Sequence, residues 1–513
     1  MSATRNDTSS LQRILAGAAT LAMLAGPAFP TWSIIAVNTR TKEVCVAGAT
    51  CLSNFNLRKN LAVMRIGVGG GAAQAMVDAG PNRLIMWNGL GAGLSPSAIL
   101  AQLAAQPLHQ SRQYGIVNMD DAPVSFSGAF TSEANPGVVG VVGDFKYAIQ
   151  GNILAGDEVV LEAEQAFLSA PGDLGQKVMA AMEAARAWGG DGRCSCSDVA
   201  PTSCQPLPPP APFMSSLVGF FLIGRIGDSG ASQCNSGTGC ASGALYCALN
   251  VSTSGPEPVL ALQQDYAVWR TAQIGRPDQV HSELFVDARA LVADRTTSAN
   301  VAFVLRDIDG VPLTHGGATV TLLNLSANVP VTAAGPVSDH GDGSYSFSVR
   351  AKQGVGTDVW RVMVDDGQGA IALQPDITLR VDPLQPVHCG HDEASLSAGV
   401  SVPIVVHAGP PQRFRNYIVL LSNAGTAPGL PFAGTTLQLN SSNLLTASYL
   451  GVNTPEFSDT FGRLDRVGRA EARFTPNPNL ALQLVGTRID CAGVVFDPLG
   501  GLALAPDGFD IVP

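Results

Sequence analysis

Thr31 opens the strand-like run TWSIIAV and directly follows a segment patterned like an export signal. Cleavage at that junction would leave its hydroxyl beside a free α-amine of pKa about 8, neutral often enough at neutral pH to take the hydroxyl proton. One residue would then be both nucleophile and base. The competing reading is a polar residue entering a strand. Other candidates lie far along the chain. Gln150 and Asn152, in the triplet Gln150-Gly151-Asn152, carry amides able to donate to a developing oxyanion or orient a substrate amide, and read equally as amides filling a turn. Gln74 follows the glycine run Gly69–Gly71, where backbone can approach a ligand closely or simply pack tightly. Asp191 and Arg193 could hold a substrate carboxylate or tune the terminal amine, or form a structural ion pair. Lys59 and Asp78 have no assigned role. The sequence holds no G-x-S-x-G elbow joined to a strand and helix, no zinc-protease helix and no phosphate loop, and no cofactor is expected.

The elements that must position these residues begin with a hairpin, Trp32–Val37 returning as Val44–Ala49. Strands are expected over Tyr114–Asn118, Val124–Phe126 and Tyr147–Ile149. A helix over Glu158–Leu168 places Val160, Ala163 and Phe167 on one face. A second helix starts at the cap Asp173, carries Leu174, Val178, Met182 and Ala185 at helical spacing, and ends at Gly189 and Gly190. The run Pro201–Phe213 is a loop, because strand-like sequence (LVGFFLIGRI) resumes after it. Beyond about residue 285 the helical pattern gives way to alternating strands separated by Asp307–Gly310, Asp339–Ser344 and Asp365–Gly369, the pattern of an immunoglobulin-like β-sandwich. These Asp-Gly clusters suit tight turns and also calcium, although none matches the twelve-residue calcium loop. The expected organisation is a signal peptide (1–30), a mixed α and β domain (31–275), a linker (276–285), the sandwich (286–387) and a C-terminal β-rich module (388–513).

Residues 1–30 carry Arg5 and Arg13, the apolar run Ile14–Leu24 and then small residues, so the protein is expected to be secreted, periplasmic or held at the cell surface. No stretch reaches the roughly 20 apolar residues of a membrane span. In an oxidising compartment the ten cysteines read as disulfides. Cys194, Cys196, Cys204, Cys234, Cys240 and Cys247 cluster around the proline-rich loop without the paired spacing of a zinc site, and Cys389 and Cys491 are expected to bridge the last module. Charged residues make up 14% of the chain and the net charge is -11 without an acidic block, which excludes a nucleic-acid binder and fits a solvated surface.

Four blocks in order, TWSIIAVNTRTKEVCVAGATC (Thr31–Cys51), GVGGGAAQA (Gly67–Ala75), YAIQGNILAG (Tyr147–Gly156) and AARAWGGDGR (Ala184–Arg193), resemble the domain-of-unknown-function family numbered 1028 over residues 31–275. The resemblance implies a four-layer αββα sandwich of the N-terminal-nucleophile (Ntn) hydrolase class, whose characterised members mostly cleave amide bonds. It makes Thr31 the counterpart of the nucleophile, because members generally begin with Thr-aromatic-Ser-Ile. Relatives that carry a peptidoglycan-binding module point to a cell-wall peptide or acyl amide as substrate. Pro30 stands against direct exposure of Thr31. The small-residue rule favours cutting after Ala28, leaving Phe29-Pro30 to be removed by a dipeptidyl peptidase specific for X-Pro or by a second cut of another kind. The chain is therefore either a secreted amidohydrolase or a noncatalytic surface or binding protein that keeps the hydrolase fold.

Overall fold

The computed structural model describes residues 31–76, 80–131, 134–251, 257–395, 399–497 and 500–513. The expected signal segment and Asp78 lie outside these residues.

All eight residues of β1 (Thr31–Asn38) are buried, which is possible only where a strand is covered on both faces. β1 pairs antiparallel with β2 (Glu43–Thr50), the expected hairpin, and on its other side with β8 (Phe145–Asn152). Adding β7 (Gly137–Val142), β9 (Val218–Gly224) and β12 (Cys247–Val251) gives a six-stranded sheet in the order β12-β9-β2-β1-β8-β7. The intervening β10 (Ser229–Gly230) and β11 (Gly243–Ala244) form a short ladder of their own. A second sheet orders β3 (Ala62–Arg65), β4 (Gly69–Ala75), β5 (Arg112–Asn118) and β6 (Val124–Ser127).

Alternation along β1 sends Trp32, Ile34 and Ala36 one way and Ile35 and Val37 the other. The first set packs under α4 (Glu158–Ser169), α5 (Leu174–Ala187) and α7 (Pro258–Thr271). The second set meets Ala62, Met64, Ala72 and Val117 of the smaller sheet. That sheet buries Val63, Ala73, Tyr114 and Ile116 against Met86, Leu90, Ile99 and Leu103 of α2 (Pro81–Gly91) and α3 (Pro96–Ala104). The layers therefore run helices, sheet, sheet, helices. Short helices α1 (Leu57–Leu61) and α6 (Gly192–Ser195) complete the region. Asp173 caps α5 in a reciprocal capping box with Gln176, and Gly189 and Gly190, both at positive φ, follow its end as expected.

The glycine run of β4 serves packing. A Cβ on Gly70 would lie 3.0–3.2 Å from Val46, Val44 and Ile35, and one on Gly71 would lie 3.1 Å from both Gly115 O and Met86 Sδ. Its bare backbone lets the two sheets and α2 approach.

Residues 283–382 form two sheets closing on a core that includes Val301, Phe303, Val349, Val362 and Leu379. The Asp-Gly clusters are turns: Asp307 accepts from the N–H groups of Asp309, Val311 and Gly275, and Asp339, Asp342, Asp365 and Asp366 accept from nearby N–H groups in the same way. Among the described residues no group of His, Cys, Asp or Glu is arranged to hold a metal. Residues 387–512 are β-rich as expected, with two larger sheets and a two-stranded ladder, and include helices Asn443–Leu450 and Pro478–Leu484, each capped by a polar side chain, Ser442 and Asn477. Arg225, just past the end of β9, is buried between Glu43 (2.7 Å) of the first hairpin and Asp278 (2.5 Å) of the expected linker, and lies 3.5 Å over the Tyr246 ring. No described helix is long and apolar enough to cross a membrane.

The cysteine expectation is partly corrected. The bridges are Cys51–Cys194, Cys196–Cys204 and Cys234–Cys240, so the cluster draws its sixth partner from the first hairpin. Cys45 and Cys247 are buried thiols. Both are in register with Ile223, from opposite sides of β9, and two strand spacings of roughly 4.8 Å exceed the reach of a disulfide. Cys389 and Cys491 are buried thiols with Sγ atoms 2.9 Å apart, in contact but not bonded.

Candidate functional site

Polar residues interrupt the apolar filling between the two sheets at the start of β1. Thr31 pairs with Asn152 and Ser33 with Gln150 across β1 and β8, so these side chains share the face turned to the smaller sheet. From that sheet come Gln74 and Gln113, themselves paired across β4 and β5. All six are at most 2% exposed.

Burial forces these groups to bond one another. Ser33 Oγ donates to Gln74 Oε1 (2.7 Å) and accepts from Gln150 Nε2 (2.6 Å). Gln74 Nε2 donates to the Thr31 carbonyl (3.0 Å) and to Gln113 Oε1 (2.7 Å). Gln113 Oε1 also accepts from Asn152 Nδ2 (3.2 Å), while Gln113 Nε2 donates to Gly151 O (2.6 Å) and Ser127 Oγ (2.8 Å). The backbone of Thr31 is thus held to the opposite sheet through a side-chain amide. Gln150 Oε1 and Asn152 Oδ1 are buried acceptors with no hydrogen-bond partner. Each keeps acceptor capacity that nothing in the cluster uses. Room for Gln150 depends on Gly115, where a Cβ would stand 2.3–2.6 Å from its amide.

The structure joins Thr31, Gln74, Gln150 and Asn152 and leaves Asp191 and Arg193 in a second group. Asp191 is fully buried and caps α6. Its carboxylate accepts from Cys51 N–H (2.6 Å), from Arg193 N–H (3.1 Å) and from the Arg193 guanidinium (3.2–3.3 Å). Burial pushes its pKa up to about 6, with the Arg193 bonds and charge opposing the rise. With the Cys51–Cys194 bridge, Asp191 pins the chain just past Thr50, beside Thr31 in the sheet. Asp191 and Arg193 thus form an ion pair at 3.2 Å. Ser33 and Gln113 went unrecognised in the sequence. Ser33 is accessible through its two-residue spacing from Thr31, whereas Gln113 meets Gln74 by strand pairing and reaches Asn152 and Gly151 only when the sheets stack.

Residues 31–199 match the model of a family of unknown function, DUF1028. The DUF1028 match contains every residue of both groups and stops short of the expected 275, so β9, β12 and α7, which complete the large sheet and its helical cover, lie beyond it. Among solved structures, protein SPO2555 from Silicibacter pomeroyi, described with the same family, is 17% identical, with 47% of this chain and 88% of that chain covered at a TM-score of 0.34. The Yersinia pseudotuberculosis adhesin InvE is 16% identical over 46% of this chain and 60% of its own, at 0.18. Invasin, a bacterial integrin-binding protein, is 10% identical over 94% and 72%, at 0.20. At TM-scores this low none of these likenesses assigns a fold or a partner to the chain. No curated protein matches it.

Two outcomes are expected. Gly115→Ala should displace Gln150 and cost about 2–3 kcal/mol by chemical denaturation, and the cost should shrink in a Gly115→Ala/Gln150→Ala double variant because the clash is relieved. Asp191 holds its proton more tightly folded than unfolded, so its contribution to stability is full below the ordinary carboxylate pKa and is lost as pH rises through about 6. Asp191→Asn should flatten that part of the stability–pH curve, read from denaturant midpoints between about pH 4 and 7.

Proposed function

We propose that the DUF1028 region is an Ntn-type amidohydrolase in which Thr31, once it is the terminal residue, attacks an amide carbonyl. The observation that supports this reading most is the convergence of five buried polar side chains on the start of β1, in a space that is otherwise apolar, with two acceptors left unsatisfied. Such a cluster costs stability in a core and is retained where it positions something. The helix, sheet, sheet, helix layering is consistent with that class of hydrolase.

In this mechanism the Thr31 α-amine takes the Oγ proton as Oγ bonds to the substrate carbonyl carbon. The C–N bond then breaks, the leaving amine receives the proton from the α-ammonium, and water hydrolyses the resulting ester to return the hydroxyl. Asn152, directly across from Thr31, supplies an amide donor for the oxyanion and an acceptor for the ammonium. Gln74, through the Thr31 carbonyl, fixes the residue's position. No resident cofactor enters any step. The substrate is a cell-wall peptide or acyl amide, met outside the inner membrane after export through residues 1–30, and three disulfides suit that oxidising setting. The hydrolase spans 31–275. Residues 276–285 link it to an immunoglobulin-like spacer (286–387) and a C-terminal module (388–513).

A β-lactone probe tests the mechanism, since it acylates a terminal threonine and the ester is retained for mass spectrometry. In protein whose first residue is Thr31 the adduct is expected on Thr31, absent in Thr31→Ala and retained in Thr31→Ser. A chain starting at Thr31 that forms no adduct and cleaves no peptidoglycan-derived amide would refute the assignment.

A further inference from the structure

The six-stranded sheet has an unguarded edge. β7 is its last strand, bonded to β8 from Gly137↔Gln150 through Val142↔Phe145, and among the described residues no strand pairs with its other side. Edge strands are ordinarily protected by charges, proline or a bulge. β7 reads GVVGVV, and its register with β8 runs without a shift. Pro136 stands just ahead of the strand and so closes only one end of the ladder.

Exposure matches this. Val139 is 42% and Val141 60% exposed. A Cβ on Gly140 would strike the Tyr147 ring of the helix-facing core, and Val138 packs against that same core, so Val139 and Val141 occupy the opposite face. β6 covers only the beginning of that face, where a Cβ on Gly137 would meet Ser125 Oγ.

A second copy of this chain fits the edge better than other occupants. An antiparallel strand of the same sequence satisfies the outward N–H and C=O groups on both sides about a two-fold axis and sets valine against valine. The net charge of -11 per copy opposes approach over most of the surface. β7 contributes none of it, and at the neighbouring hairpin tip Asp144 is neutralised by Arg40 at 3.2 Å.

We propose that β7 pairs antiparallel with β7 of a second copy, joining two six-stranded sheets into one continuous sheet with Val139 and Val141 of both copies at the seam. The inference is independent of any catalytic role for Thr31. A six-residue ladder is at the small end of specific interfaces, so the dimer should dissociate in about the micromolar range.

Sedimentation velocity on the full chain over about 1–100 μM brackets that range. Wild type should pass from monomer to dimer, while Val141→Lys and, separately, Val139→Lys should raise the dissociation constant at least about tenfold without altering the circular dichroism spectrum. Val329→Lys, at an 86% exposed position in the sandwich, should associate like wild type. A wild-type monomer at every concentration would overturn the proposal, as would association unchanged by both β7 lysines or capture of a strand from another protein in place of the second copy.

Discussion

The hydrogen bond from Gln74 Nε2 to the Thr31 carbonyl is the constraint on which the site depends. It ties the first residue of the central strand to the opposite sheet, and Gln74 is itself fixed only because Ser33 and Gln113 occupy its other positions. The cluster is cooperative: each amide is oriented by the next, so loss of one member strands the others in a water-poor space. Apolar neighbours raise the stakes. Ile35 and Val37 continue the same face of β1 into packed core, and the polar groups have little bulk solvent to fall back on.

Glycines make that arrangement sterically possible. Gly70 lets the smaller sheet reach β1 and β2, and Gly115 leaves the volume that the Gln150 amide fills. The Cys51–Cys194 bridge and the buried Asp191 carboxylate then hold the end of β2, the neighbour of β1 on the side away from β8. At the far end of the same hairpin, Glu43 engages Arg225, which also binds Asp278. Removing Arg225 would leave the Glu43 carboxylate buried without a counterion, a strongly unfavourable state, while Asp278 would keep His281 at 2.8 Å. The β1–β2 hairpin is therefore anchored at both ends, by an amide cluster and a disulfide at one and an ion cluster at the other.

Much of this was legible in the chain. The hairpin followed from two apolar runs flanking the polar Asn38–Glu43, α5 from Asp173 and its helical spacing, and the sandwich from strands separated by Asp-Gly turns. Gln74, Gln150 and Asn152 were singled out because amides stood beside glycines at strand ends. Gln113 was not, since its meaning arises from strand pairing with Gln74 and sheet stacking on Asn152, each 39 residues away in sequence. The pairing of Cys51 with Cys194, 143 residues away, is invisible to any local pattern for the same reason. The helices at Asn443–Leu450 and Pro478–Leu484 are short and sit in strand-rich text, so their caps were the only local signal. Cys45 and Cys247 behave as small apolar residues of the core, burial holding the Cys247 thiol up at about 12.

The proposed mechanism requires Thr31 to be the terminal residue. Intact-mass analysis with N-terminal sequencing of the protein recovered from its native host tests it most directly. The expected first residue is Thr31, with Phe29-Pro30 removed. A stable terminus at Phe29 in protein that retains full amidase activity would contradict it, because the α-amine would then be two residues away from the hydroxyl it is required to activate.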